Sequence, residues 1–297
     1  MGECIRERFL IVDDFLPQHQ GISMRADIDA HFSNPSEHLP TTHQVWNYWH
    51  VPGSYTYLRT TPEKVIALPK VEEFVTALRN WAGLNLGLAG VSWPYLSLYV
   101  PGCIQGLHND STNGRLGYVY SLTRNDRRTV GGETVLVHDR DLFLSSLERP
   151  AAGTDLFDLV SPEFNRLTLF DDRIPHAVQR LEGPMDPLEG RFVLHGHISE
   201  DGVVAQGGLH AELVRQPLAA ILDELSRDGI DVKGPLVMQL EIDAGGQVRS
   251  ARPILDRLVS PNGTDVEAVR TKVGKRLGAV QFAAAPSPTR ANVPLIF

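Results

Sequence analysis

"YLSLYVPGCIQGLHND", residues 95–110, begins as a short β run, turns at Pro101–Gly102, and ends with His108 and Asp110 two apart in a polar run. The same texture continues from about residue 91 to residue 198. Short β runs ("WPYLSLYV", "LGYVYSLT", "GGETVLVH", "RLTLFD", "HAVQRL", "RFVLHGHIS") alternate with turn signals. Several short strands at this spacing predict a sandwich or a jelly roll. The connection 138–163 is long for a compact domain, and connections of that length often cover a site.

Outward from this stretch, "RFLIVDDFLP" (8–17) reads as a buried strand and a turn, and residues 18–32 carry a weak helical pattern. The aromatic run Trp46, Tyr48, Trp49, Tyr55 and Tyr57 is read as core packing, with a small-molecule pocket wall as the alternative. Residues 61–86 have helical periodicity through Val71, Phe74, Val75, Leu78 and Trp81. Residues 200–216 read as a linker. A helix at 216–228, a strand pair turning at 243–246, a helix near 264–277 and the closing "VPLIF" then predict a second, smaller unit. The expected fold is mainly β with flanking helices: a double-stranded β-helix (jelly roll) over residues 1–205 and a small α+β domain over 217–297.

The chain has 297 residues, of which 42% are hydrophobic and 22% charged, enough for a sizeable core in a soluble globular protein. Its formal charge of −8 argues against nucleic acid as a partner, since phosphate binding needs a basic face. Two cysteines, Cys4 and Cys103, give no disulfide framework, so a reducing cytoplasm is the expected location. The apolar stretch near the N-terminus is short and interrupted by charge, so neither a signal peptide nor a membrane span is expected.

A His-x-Asp pair alone is usually a turn or an Asx cap. What raises His108 and Asp110 above that is His176, 68 positions later at another strand junction. Two imidazoles and one carboxylate on one face of a metal leave three positions open. This suits Fe(II), which can then hold a chelating cosubstrate and oxygen; Mn, Co or Ni would also bind. Arg191 opens the strand "RFVLHGHIS", in which Arg191, Val193, His195 and His197 share one face. A guanidinium buried there needs a carboxylate, to which it presents a planar fork. His195 and His197 are candidates for site wall or strand packing. Arg124, Arg127 and Arg128 lie on the connection 123–134, which reads as a solvated charged loop or as a lid touching an anionic substrate.

In order and spacing, "Y-V-P-G…H-N-D" (99–110), "G-G-E-T" (131–134), "P-H" (175–176) and "G-R-F" (190–192) resemble the 2-oxoglutarate- and Fe(II)-dependent dioxygenases, in particular the prolyl-4-hydroxylase-like branch. "FLIVDDFLP" resembles the strand that often opens such proteins. The resemblance implies that His108, Asp110 and His176 bind iron, and that 2-oxoglutarate chelates the metal and rests its far carboxylate on Arg191. It also implies that Tyr99 helps hold the cosubstrate. The family more often has Ser, Thr or an aromatic residue where this chain has His195. His195, Arg127 and Arg128 are the candidates for touching substrate.

The implied reaction uses O2 and 2-oxoglutarate to hydroxylate an unactivated C–H bond of an amino acid, a peptidyl residue or a natural-product intermediate, releasing succinate and CO2. A carboxylate ligand at Asp110 favours hydroxylation, because the halogenating relatives lack it. Residues 217–297 resemble a TonB-like C-terminal module, which implies dimerisation, substrate docking or stabilisation as its role. Two rival readings are a non-catalytic binding or adaptor protein on a degenerate jelly roll, and a cupin-like metalloenzyme that does not use 2-oxoglutarate.

Overall fold

The computed structural model describes residues 4–33, 45–110, 113–137, 156–227, 231–260 and 262–297. Of the long connection expected at 138–163, residues 138–155 lie outside the described residues. The first strands are β1 (Phe9–Val12), β2 (Asn47–Val51), β3 (Tyr55–Thr60), β4 (Gly90–Val91), β5 (Tyr95–Tyr99) and β6 (Ile104–His108). They are followed by β7 (Leu116–Ser121), β8 (Thr134–Val137), β9 (Phe157–Val160), β10 (Leu167–Asp171), β11 (His176–Val178) and β12 (Arg191–Ser199). The remaining strands are β13 (Val204–Gly207), β14 (Pro235–Ile242), β15 (Val248–Asp256) and β16 (Thr289–Ile296). The helices are α1 (Gln18–Phe32), α2 (Leu68–Asn85), α3 (Ala211–Arg227) and α4 (Val266–Gly278). Among the described residues no helix is long and apolar enough to cross a membrane.

The architecture is mainly β. One large curled antiparallel sheet has the strand order β1-β10-β7-β12-β5-β3-β6-β11-β8-β9, with β2 paired to β3. Strand β3 joins the two halves of the jelly roll: Leu58–Thr60 pair with β5, and Tyr55 and Thr56 pair with β6. Strands with both faces covered read as continuous apolar runs, as in β10, where all five residues are buried. One face of the sheet packs on helical residues. Phe74 of α2 stacks on Tyr120 at 4.8 Å between centroids, and Arg25 of α1 lies over the Phe192 ring at 4.8 Å. Buried Arg25 is satisfied by the carbonyls of Leu122 and Leu188 and by Asp29. Asn165, at φ 62° and fully buried, ties the first turn to the sheet. Its amide donates to the Leu16 carbonyl, and its oxygen accepts from the Leu16 N–H and the Tyr120 hydroxyl.

Two corrections to the sequence reading concern aromatic and linker segments. All five residues of β2 are exposed, so Tyr48 and Trp49 are not core residues. Tyr57 is buried in a cluster with Tyr99 and Tyr55 packs against it, as core packing predicts, while Trp49, Tyr55 and Tyr57 also line a pocket, the alternative reading. Among the described residues β2 pairs with β3 alone, off the main path of the sheet. In α2, Val71, Phe74, Val75 and Leu78 are buried as expected, whereas Trp81 is only half-buried and Ala82 is buried beside it.

The segment 200–216 holds β13 and the start of α3. Val203 and Ala205 pack against a core that includes Leu209 and Val214. The structure divides into two compact units. One comprises 9–77 and 91–197; the other comprises residues up to Arg8, 78–90 and 198–297. The second unit is an antiparallel sheet of order β13-β16-β14-β15 with α3 and α4, built on Leu236, Met238, Leu240, Val273 and Leu277. Within it Asn292 donates to the carbonyls of Gly83 and Leu84.

This interleaving sets an expectation for the division at 205/217. A fragment 1–205 keeps residues 78–90 but loses Asn292 and the three strands β14–β16. We therefore expect it to aggregate, or to be cleaved by protease near 78–90, under conditions in which the full chain resists. A soluble 1–205 with a cooperative melt would instead support two sequentially separate domains.

Candidate metal centre and pocket

Strand β6 ends on His108, and β11 begins on His176; the two are register partners across the β6–β11 ladder. Their ring centroids are 4.2 Å apart. Asp110 follows His108 by two residues, and its backbone N–H donates to the Asp172 carbonyl at 2.8 Å, which holds the turn against β10. His176 Nε2 lies 3.5 Å from Asp110 Oδ2. One nitrogen from each imidazole and one carboxylate oxygen all lie within 4.8 Å of one another.

The backbone sets the tautomers. His108 Nδ1 lies 2.8 Å from the Gly106 carbonyl, and His176 Nδ1 lies 3.0 Å from the Ile174 carbonyl. A carbonyl only accepts, so each Nδ1 carries the proton and each Nε2 keeps its lone pair. Burial, and then the neighbouring His176, lower the pKa of His108, so it is neutral at pH 7. Burial pushes the Asp110 carboxyl up, but the neighbouring imidazoles of His176, His108 and His197 outweigh that and bring it to about 2. Two imidazole nitrogens and one carboxylate oxygen are the donor set that a divalent first-row metal takes.

These residues open onto a cavity of about 500 Å³ inside the jelly roll, a size suited to small molecules. Arg191, Val193, His195 and His197 of β12 form part of its wall, as the alternation predicts. Arg191 is 1% exposed. Its Nη2 donates to Thr134 Oγ1 at 3.1 Å, its guanidinium lies over the Tyr99 ring at 4.9 Å, and its Nε has no partner. Among the described residues no carboxylate lies within ion-pair distance of it, although Glu133 and Arg127 act on it electrostatically with opposite signs. Burial lowers its pKa.

The "GGET" turn brings Thr134 to this position. Gly131 and Gly132 have φ of +85° and +78°, and a Cβ on Gly131 would come 2.1 Å from the Arg180 carbonyl oxygen. Only glycine fits such an approach.

Tyr99 is buried. It donates to Gln105 Oε1 at 2.9 Å, and the Gln105 amide nitrogen lies 3.1 Å from His108 Nε2. Gln105 thus links the arginine side of the pocket to the histidines; as one amide in a short strand it carried no signal in the sequence. His195 Nε2 meets Ser97 Oγ at 2.8 Å. Burial, followed by the nearby Arg59 and Arg191, pushes His195 down to about 3, so it is a neutral wall residue. The buried Nδ1 of His197 has no partner.

Arg127 and Arg128 are not brought to the pocket wall. Arg128 is held by Glu189, with its N–H at 2.7 Å from Oε2, and Arg127 donates to the Arg124 carbonyl. Arg180, another cation close in sequence to His176, is exposed and paired with Glu182 at 2.6 Å.

No family model and no curated protein matches the chain. Among solved structures it is similar to a prolyl hydroxylase from Trichoplax adhaerens in complex with a hypoxia inducible factor peptide fragment. That match has 15% identity, TM-score 0.45, and covers 64% of this chain and 82% of that one. It is also similar to a Pseudomonas putida prolyl-4-hydroxylase, with 18% identity, TM-score 0.44, and coverage of 66% and 94%. A third is the non-heme alpha ketoglutarate dependent epimerase SnoN from nogalamycin biosynthesis, with 12% identity, TM-score 0.48, and coverage of 66% and 78%.

Proposed function

We propose that this chain is an Fe(II)- and 2-oxoglutarate-dependent oxygenase that hydroxylates an unactivated C–H bond of a small-molecule or peptidyl substrate. One observation carries the reading: the two-histidine, one-carboxylate cluster shares its cavity with a fully buried guanidinium that has no carboxylate partner among the described residues. A buried charge of this kind is costly unless it is paired. A dicarboxylate from solution pairs it while also reaching the cluster.

The residues fit the metal and the cosubstrate. His108 Nε2, His176 Nε2 and a carboxylate oxygen of Asp110 would hold Fe(II), and the open face of such a site is what a chelating cosubstrate and O2 need. The bound metal supplies the redox chemistry that couples O2 and 2-oxoglutarate to oxidation of a C–H bond. The overall reaction balances as 2-oxoglutarate, O2 and R–H giving succinate, CO2 and R–OH. The chain's own part is orientation. Gly106 and Ile174 carbonyls fix the imidazoles; Arg191, steadied by Thr134 and the Tyr99 ring, takes the far carboxylate; buried Phe170 and Val178 help line the wall and exclude water.

The test is Fe(II)-dependent conversion of 2-oxoglutarate to succinate and CO2 under O2, with metal-dependent binding of 2-oxoglutarate measured separately without O2. We expect both. Metal binding without any 2-oxoglutarate binding would favour the cupin-like alternative, and absence of metal binding would favour the adaptor.

A further inference from the structure

We infer that Arg59 is a second anion anchor, holding a carboxylate carried by the substrate itself; the inference rests on the oxygenase reading above. Arg59 lies on β3 and lines the same cavity. Its guanidinium carbon is 3.7 Å from the Trp49 ring centroid and 4.2 Å from that of Tyr95. Stacking on aromatic rings uses the faces of the guanidinium and leaves its N–H edge available to an acceptor. The Tyr57 hydroxyl is close enough to act on it, but among the described residues no carboxylate is within ion-pair distance.

Register sets it apart from the cosubstrate's anchor. Arg59 pairs with Ser97, which pairs with Val193, whereas Tyr57 lies beside Tyr99 in the row that ends on Arg191. Arg59 therefore lies two strands across and one inward-facing row along from Arg191.

Charge decides what it waits for. Among the described residues that line the cavity, Arg59 and Arg191 are the only lysine or arginine side chains and Asp110 is the only carboxylate. A divalent metal with Asp110 carries one net positive charge, and Arg191 adds another. Doubly charged 2-oxoglutarate neutralises both. Arg59 remains as one positive charge in a partly desolvated wall, with His195 kept neutral beside it. A single planar fork suits a single carboxylate. A phosphate dianion would call for further cations, which the described lining does not supply. The substrate class this selects is a small carboxylate, such as a free α-amino acid or a short peptide binding through its C-terminus.

The experiment uses the full chain loaded anaerobically with Fe(II) and 2-oxoglutarate. Calorimetry measures binding of the twenty free amino acids, a set of dipeptides, and the primary amide of each. At least one acid is expected to bind ten- to a hundredfold more tightly than its amide, roughly the worth of a charge-assisted hydrogen bond. The free and dipeptide arms separate the two sources of the carboxylate. Arg59→Met, which fills the aromatic slot without charge, should reduce the acid to the level of its amide and leave 2-oxoglutarate affinity within about twofold. Arg59→Lys should restore part of the preference.

Equal binding of acids and amides, no acid binding at all, or equal loss of both in Arg59→Met would each overturn the anchor; the last would make Arg59 a packing residue of the β2–β3 pair. Failure of 2-oxoglutarate to bind the parent chain would overturn the oxygenase reading instead. Acid-over-amide preference lost in Arg59→Met would still uphold the anchor in that case.

Discussion

A His176→Ala chain is expected to lose metal binding and keep its fold. His176 is 7% exposed and stands in register with His108, so its removal takes one of the two imidazoles from the cluster without moving the other. Alanine keeps the backbone ladders of β11 to β6 and β8, which do not use the ring. The lost packing against Phe170, 4.6 Å away between centroids, should cost about 1–3 kcal/mol. Changes to groups that merely orient a ligand lower metal affinity by roughly ten- to a hundredfold. Removing the ligand itself should exceed a hundredfold. Competition for Co(II) or Fe(II) against a coloured chelator measures this, with circular dichroism as the check on fold. His197→Ala is the control: it lies on the same wall but outside the cluster, and should bind metal nearly as the parent does. A His176→Ala chain with parental metal affinity would show that the three residues are not the ligand set.

How much of this was legible in the sequence differs by element. The jelly-roll strands were readable because their apolar runs are short and bounded by turn residues, and β12 was readable to the level of which side chains face inward. Alternation fixes that without reference to anything distant. His108 and His176 carried weak signals separately; what joins them is a ladder between strands 68 positions apart, which no local pattern encodes. The aromatic run was legible only in part, with Tyr57 in a core cluster and the β2 rings exposed, because composition does not distinguish a ring facing a core from a ring facing a cavity. The better signal was Arg59, a cation among the inward-facing rings of "YTYLRT", since a cation in such a row needs either an anion or a ligand.

The connection 200–216 misled for a related reason. Val203, Val204, Leu209 and Val214 are scattered among glycines and polar residues, so periodicity is faint; β13 pairs with β16 more than 80 residues later, and Leu209 and Val214 are buried in a core that includes residues of α3, β14, α4 and β16. Residues 78–90 belong to a unit assembled mostly from the far end of the chain. That grouping joins segments distant in sequence, which no local pattern encodes.

Arg191→Ala is expected to weaken 2-oxoglutarate binding by on the order of a hundredfold or more while leaving metal affinity unchanged. The proposed anchoring contact is a bidentate pair between a desolvated guanidinium and one carboxylate, and loss of such a charged partner is worth a few kcal/mol, at about 1.4 kcal/mol per decade. None of the metal-ligand candidates touches Arg191. Its contacts are Thr134 and Tyr99, so the two affinities should separate cleanly. Arg191→Lys retains charge but presents no planar fork, and should fall between parent and alanine.

Stability gives the same claim a second, independent reading. Arg191 is completely enclosed, its Nε has no partner, and burial lowers its pKa because the charged form is poorly solvated there. If Arg191 were held for structural reasons, replacing it should destabilise the ligand-free chain by several kcal/mol, as breaking a buried ion pair does. If it waits for a ligand, Arg191→Met, which fills much of the same volume without the charge, should melt no lower than the parent without 2-oxoglutarate. Only the parent should then gain stability when 2-oxoglutarate and metal are added, by mass action. Calorimetric scans of both chains, with and without cosubstrate, make the comparison. Equal ligand-induced stabilisation in both would move the carboxylate away from Arg191, and Arg59 would be the next group to test, because it is the other guanidinium facing the cavity.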